Sequence, residues 1–139
     1  MIILDANVAS ELMKPSPAPV VRDWVRARCG KELYTTSITL AEIRNGIERL
    51  AAGRRRDLLK ATVDDAFATF EDQVLPFDAA AAAHYPIIVT RRDQAGLSID
   101  GFDAQIASIC RTHDAALATR NRKDFHDTGI DVIDPWHAV

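Results

Sequence analysis

Three carboxylates occupy positions where a folded chain could gather them. Asp5 closes the apolar run Met1-Ile2-Ile3-Leu4, while Glu42 and Asp103 each fall at the start of a helical pattern. An apolar run ending in an acid is how a buried parallel strand delivers a carboxylate to the carboxyl edge of an α/β sheet, where such sheets bind ligands. Asn7 offers a second polar group to the same crevice. Acids drawn together repel one another, and a divalent cation held by oxygen ligands relieves that repulsion. Each acid also has an architectural role open to it. Asp5 could cap the helix that follows, Thr39-x-x-Glu42 matches a capping box, and Asp103 would sit in the first turn of a helix capped by Asp100. Capping and ligand binding are compatible at all three positions.

Other chemistries find little support. His84, His113, His126 and His137 show no spacing that suits zinc, and the chain contains no phosphate-binding loop, dinucleotide fingerprint or nucleophile elbow. Cys29 and Cys110 stand alone and read as reduced thiols, Cys110 within a core helix. A net charge of −3 argues against coating nucleic acid by bulk electrostatics. Nucleic-acid contact must therefore be local. Of the basic clusters, Arg54-Arg55-Arg56 and Arg91-Arg92 read as solvated surface, whereas Arg120-Arg122-Lys123 lies near a strand end. The 139 residues suit a single domain, 1–139, with no bilayer-spanning run and no signal peptide, so a cytoplasmic location is expected.

Positioning the acids requires a particular succession of elements. After the first strand, helices are predicted over about 8–13 and 18–28, the latter stopped by Gly30, then a strand at 33–36. Leu40, Ile43, Ile47 and Leu50 mark a helix ending at Gly53, and Leu58, Leu59, Val63, Phe67 and Phe70 mark a second, antiparallel one. A strand at 74–77 precedes an alanine-rich helix in which Pro86 predicts a kink or an end near His84. Residues 101–111 form a helix with Phe102, Ile106, Ile109 and Cys110 inward, and strands follow at 115–119 and 130–133. Short strands alternating with helices imply a parallel sheet covered on both faces.

Four motifs in order carry a family likeness: Ile3-Leu4-Asp5-Ala6-Asn7; Ser37-Ile38-Thr39-Leu40-Ala41-Glu42-Ile43 with Gly46; Gly96-Leu97-Ser98-Ile99 leading to Asp103-Ala104-Gln105-Ile106-Ala107; and Ala118-Thr119-Arg120-Asn121 with Asp124-Phe125. Over nearly its whole length the chain resembles a PIN-domain ribonuclease of the VapC type, the toxin of a VapBC toxin–antitoxin pair. The resemblance implies a three-layer α/β/α fold around a mainly parallel sheet of four to five short strands. It implies that Asp5, Glu42 and Asp103 hold Mg²⁺ or Mn²⁺, with a fourth acidic position at or just after Asn121, where Asp124 is available. It also implies an RNA substrate, tRNA among the candidates, a small antitoxin whose tail covers the crevice, a homodimer, and contact with DNA only through the antitoxin.

RNA cleavage at such a site would use a metal-activated water, with Asp5 and Asp103 as direct ligands and Glu42 orienting or deprotonating that water. Arg120 and Arg122 would hold flanking phosphates, solvated charge being the alternative. Two other readings stand beside this one. The first is a non-catalytic PIN-like interaction module. The second is a haloacid-dehalogenase-like phosphotransferase, which also follows an N-terminal strand with an aspartate but wants an acid where this chain has Asn7.

Overall fold

The computed structural model describes residues 1–28 and 32–137, so the expectations for Cys29 and Gly30 lie outside the described residues. In chain order the elements are β1 (Ile2–Leu4), α1 (Ala6–Leu12), α2 (Pro19–Arg26), β2 (Leu33–Thr36), α3 (Ser37–Glu48), α4 (Arg54–Thr69), β3 (Val74–Leu75), α5 (Ala79–Gln94), α6 (Gly101–Thr112), β4 (Ala116–Ala118) and β5 (Val132–Ile133). Short 3-10 turns cover Glu71–Gln73 and Arg122–Phe125. The five strands form one sheet in the order β3-β2-β1-β4-β5, and every neighbouring pair is parallel.

Adjacent residues of a strand face opposite sides of a sheet, so even three-residue strands supply two cores. Ile3 and Leu117 join Ile88, Ile106, Ile109, Cys110 and Phe125 beneath α5 and α6. Leu4, Leu33 and Ala118 turn the other way and pack with Val8, Val21 and Trp24 of α1 and α2. The result is three layers, with every strand carboxyl end on one edge.

Local chemistry sets the helix ends. Thr36 caps α3, its hydroxyl oxygen accepting from the Thr39 N–H at 3.0 Å, so the cap falls three residues before the Thr39 of the capping-box pattern. Asp100 caps α6 by accepting from Phe102 N–H. Gly96, at φ +73°, turns the chain out of α5 in the left-handed conformation that disfavours side chains, and the Leu97 N–H returns to the Arg92 carbonyl at 2.8 Å.

Four sequence expectations need correction. The α5 helix runs unbroken through Pro86, because the ring lies on the exposed side and the Ala82 carbonyl deprived of a helical donor is on an exposed residue. Phe102 is 45% exposed and so does not face inward, and Leu58 stands out of the α3–α4 contact at 57% exposed. Arg92, grouped above with solvated charges, is buried. Among the described residues no helix is long and apolar enough to cross a membrane.

Candidate active site

The crevice grows from two neighbouring strand ends. Leu4 pairs with Ala118, and the Asp5 N–H donates to the Ala118 carbonyl at 2.9 Å, which places Asp5 and Thr119 side by side at the sheet edge. One carboxylate oxygen of Asp5 accepts from the Ala6 N–H at 2.8 Å, capping α1, and the other accepts from the Thr119 hydroxyl at 2.8 Å. Asp5 therefore caps a helix while sitting, buried, at the carboxyl edge of the sheet.

Thr119 is fully buried, and its oxygen also accepts from Asn7 Nδ2 at 3.2 Å and from the Asn121 N–H at 3.1 Å. Asn7 Oδ1 in turn accepts from the Arg120 N–H. Asn7 thus ties α1 to the end of β4 rather than presenting free polar groups to a ligand. Sequence reasoning assigned Thr119 no role. The available signal was its place directly after a buried strand, on the same edge as Asp5.

Glu42 and Asp103 approach from helices on the same edge, and electrostatics reports the convergence. Burial, and then the charges of Asp5 and Asp100, push the Glu42 carboxyl up to about 6. Burial, followed by Asp5, Asp124, Asp100 and Glu42, pushes Asp103 up to about 7. Asp5 is raised as well: burial outweighs the two hydrogen bonds that favour its ionised form, and Asp124 adds repulsion. Every charge acting on Glu42 and Asp103 is negative. Asp124 lies in the turn after β4 and acts on both Asp5 and Asp103, whereas Asn121 enters the network through its backbone N–H.

Donor chemistry suits a hard cation. All the candidate ligands are carboxylate oxygens, and Glu42 Oε1 is buried with no hydrogen-bond partner. A buried carboxylate oxygen without a donor is costly, and a cation is what such a place accepts. Among the described residues no three His, Cys, Asp or Glu side chains are drawn together tightly enough to form a finished ligand set. Asp5 is held in place by its two hydrogen bonds, from the Ala6 N–H and the Thr119 hydroxyl.

The two arginines separate. The Arg120 guanidinium lies 4.1 Å above the Trp136 ring, on the side of the crevice toward Glu11, whose carboxyl feels its charge. Arg122 is exposed in the turn that carries Asp124 and borders a groove with Leu97, Lys123 and Phe125.

Fold and crevice together define an α/β/α domain with an acidic site at the carboxyl edge of a five-stranded parallel sheet. The chain belongs to the PIN domain family, whose pattern matches residues 2–130. It is 36% identical over 139 residues to the plasmid stability protein StbB of Pseudomonas syringae pv. tomato, spanning 99% of this chain and 100% of that protein. It is 35% identical over 137 residues to VapC ribonuclease Y4jK of Sinorhizobium fredii, spanning 98% of each. Toxin FitB of Neisseria gonorrhoeae is 33% identical over 138 residues, with 99% of each chain covered. Among solved structures the chain is similar to that of FitAB bound to the IR36 DNA fragment, with a TM-score of 0.91, 32% identity, and coverage of 100% of this chain and 98% of that one.

Proposed function

We propose that residues 1–139 form one domain that works as a metal-dependent endoribonuclease, the toxin of a VapBC-type toxin–antitoxin pair in the cytoplasm. The observation that carries the metal-dependent part is the partnerless, buried Glu42 Oε1 in a crevice where every acting charge is negative. Whole-length likeness to a VapC ribonuclease and to a bacterial toxin supports the reaction class and the biological role.

Asp5, Glu42 and Asp103 would hold Mg²⁺ or Mn²⁺, with Asp124 rather than Asn121 as the fourth acid. When bound, the ion supplies charge stabilisation at the scissile phosphate and a more acidic water. The residues divide the remaining work. Thr119 holds Asp5 in one rotamer. Glu42 would orient the attacking water or take its proton. Arg122, exposed beside Asp124, and Arg120, stacked on Trp136, would hold flanking phosphates. The substrate is RNA, with tRNA the first class to assay. Partners are a second copy of the chain and a small antitoxin, through which any contact with DNA is made.

The test is cleavage of RNA by the purified chain with added Mg²⁺ or Mn²⁺, with chelator, and with Asp5→Asn. Loss of turnover on chelation and in the variant is expected. Turnover that ignores both overturns the metal mechanism, and RNA or antitoxin binding without any turnover returns the chain to a PIN-like interaction module.

A further inference from the structure

Arg92, in the last turn of α5, is only 4% exposed, yet among the described residues no carboxylate pairs with it. Its guanidinium is instead spent on backbone carbonyls. Nη2 donates to Ser98 O, and Nη1 donates to His126 O at 2.8 Å and to Lys123 O at 3.3 Å, while Nε has no partner. A buried cation held only by carbonyl dipoles is an expensive way to fill space that methionine or leucine would fill without desolvating a charge. What arginine alone offers is a rigid fork whose donors reach acceptors in two chain segments at once.

Those segments are the ones that deliver acids to the crevice. Ser98 lies two residues before Asp100, the cap of α6, and so fixes how the helix bearing Asp103 begins. Lys123 and His126 bracket Asp124, whose other neighbour, Phe125, is anchored in the core. The Arg92 carbonyl adds a further tie by accepting from the Leu97 N–H. Among the described residues no other side chain hydrogen-bonds to both segments.

We infer that Arg92 is a positioning residue for the acidic site, locking the 96–100 loop and the 122–126 turn together so that Asp103 and Asp124 face the same point. The inference rests on the reading of these acids as metal ligands. It adds a residue that touches neither metal nor substrate.

The experiment compares the wild type with Arg92→Lys, which keeps the charge and loses the fork, and Arg92→Gln, which keeps a carbonyl-directed donor. Ile88→Val, a buried substitution one turn earlier in the same helix, controls for lowered stability. Calorimetric titration with Mn²⁺ should show affinity reduced roughly tenfold in both Arg92 variants, as for other residues that orient a ligand from behind, and unchanged in Ile88→Val. In the Asp124→Asn background the further loss from Arg92→Lys should shrink. Hydrogen exchange should rise selectively over residues 97–103 and 122–126. Unchanged Mn²⁺ affinity in both Arg92 variants overturns the inference, and so does a loss matched by Ile88→Val. If the wild type takes up no Mn²⁺, the metal reading fails instead, and the exchange pattern alone decides whether Arg92 locks the two segments: no selective rise overturns it.

Discussion

A single hydroxyl organises the most buried acid of the crevice. Thr119 donates to Asp5 while accepting from Asn7 and Asn121, so it fixes the rotamer of the carboxylate and the path of the chain leaving β4. Thr119→Val keeps the shape and removes the donor. RNA cleavage should fall about 10- to 100-fold through misorientation of Asp5, read as a lower kcat with little change in KM. An unchanged kcat would remove Thr119 from the site. The raised carboxyls also bear on stability. Asp103 titrates near 7 when folded against an ordinary value of 3.8, so between these limits the folded state holds more protons than the unfolded state, and stability falls as pH rises. In chelator, the melting midpoint should therefore drop from about pH 5 to about pH 8, and Asp103→Asn should flatten the decline and raise the midpoint at the alkaline end. Parallel curves for variant and wild type would show that the carboxyl is not under this repulsion.

At the level of helices and strands, the cap of α3 decides what Glu42 can do. With Thr36 at the cap, Glu42 is the sixth helical residue, too far along to reach back to the helix start, and its carboxylate is left for the crevice. The sequence pattern allowed Thr39 as the cap because both threonines precede the same apolar stripe. Packing chose between them: Thr36 ends a buried strand, and its hydroxyl meets that of Thr39 at 2.8 Å. Thr36→Ala should lower unfolding free energy by about 1 kcal/mol, measured by urea denaturation. A loss below a few tenths would mean that the cap is dispensable. Pro86 makes the complementary point, since α5 continues through it where the ring and the orphaned Ala82 carbonyl lie on the exposed side.

Taken as one folded body, the protein stores like charge on one edge, and metal binding should return stability to it. An ion bound only by the folded state raises the unfolding free energy by about 2.7 kcal/mol at about a hundredfold excess over its Kd. Millimolar Mn²⁺ at neutral pH should therefore shift the melting midpoint upward by several degrees. The shift should vanish in Asp5→Asn. Failure of Mn²⁺ to move the wild-type midpoint would mean that the acids repel one another without serving as a cation site.

The alternation of short apolar strands with helical stripes was sufficient to read a parallel α/β sheet, and the motif around Asp5 was sufficient to point to its carboxyl edge, because burial on both faces and a ligand-binding edge leave local marks. Asp5, Glu42, Asp103 and Asp124 were legible as residue types at intervals. Their sharing of one crevice was not, since it depends on β1 lying between β2 and β4, a long-range pairing that no local pattern specifies. Thr119 and Arg92 were invisible for the same reason. The value of each lies in partners more than 100 and more than 30 residues away respectively, brought within hydrogen-bond reach only by the folded chain. Exposure followed that rule too: Phe102 and Arg92 exchanged the places that their chemistry suggests, because the surroundings of a side chain are set by the neighbouring layers and not by its own polarity.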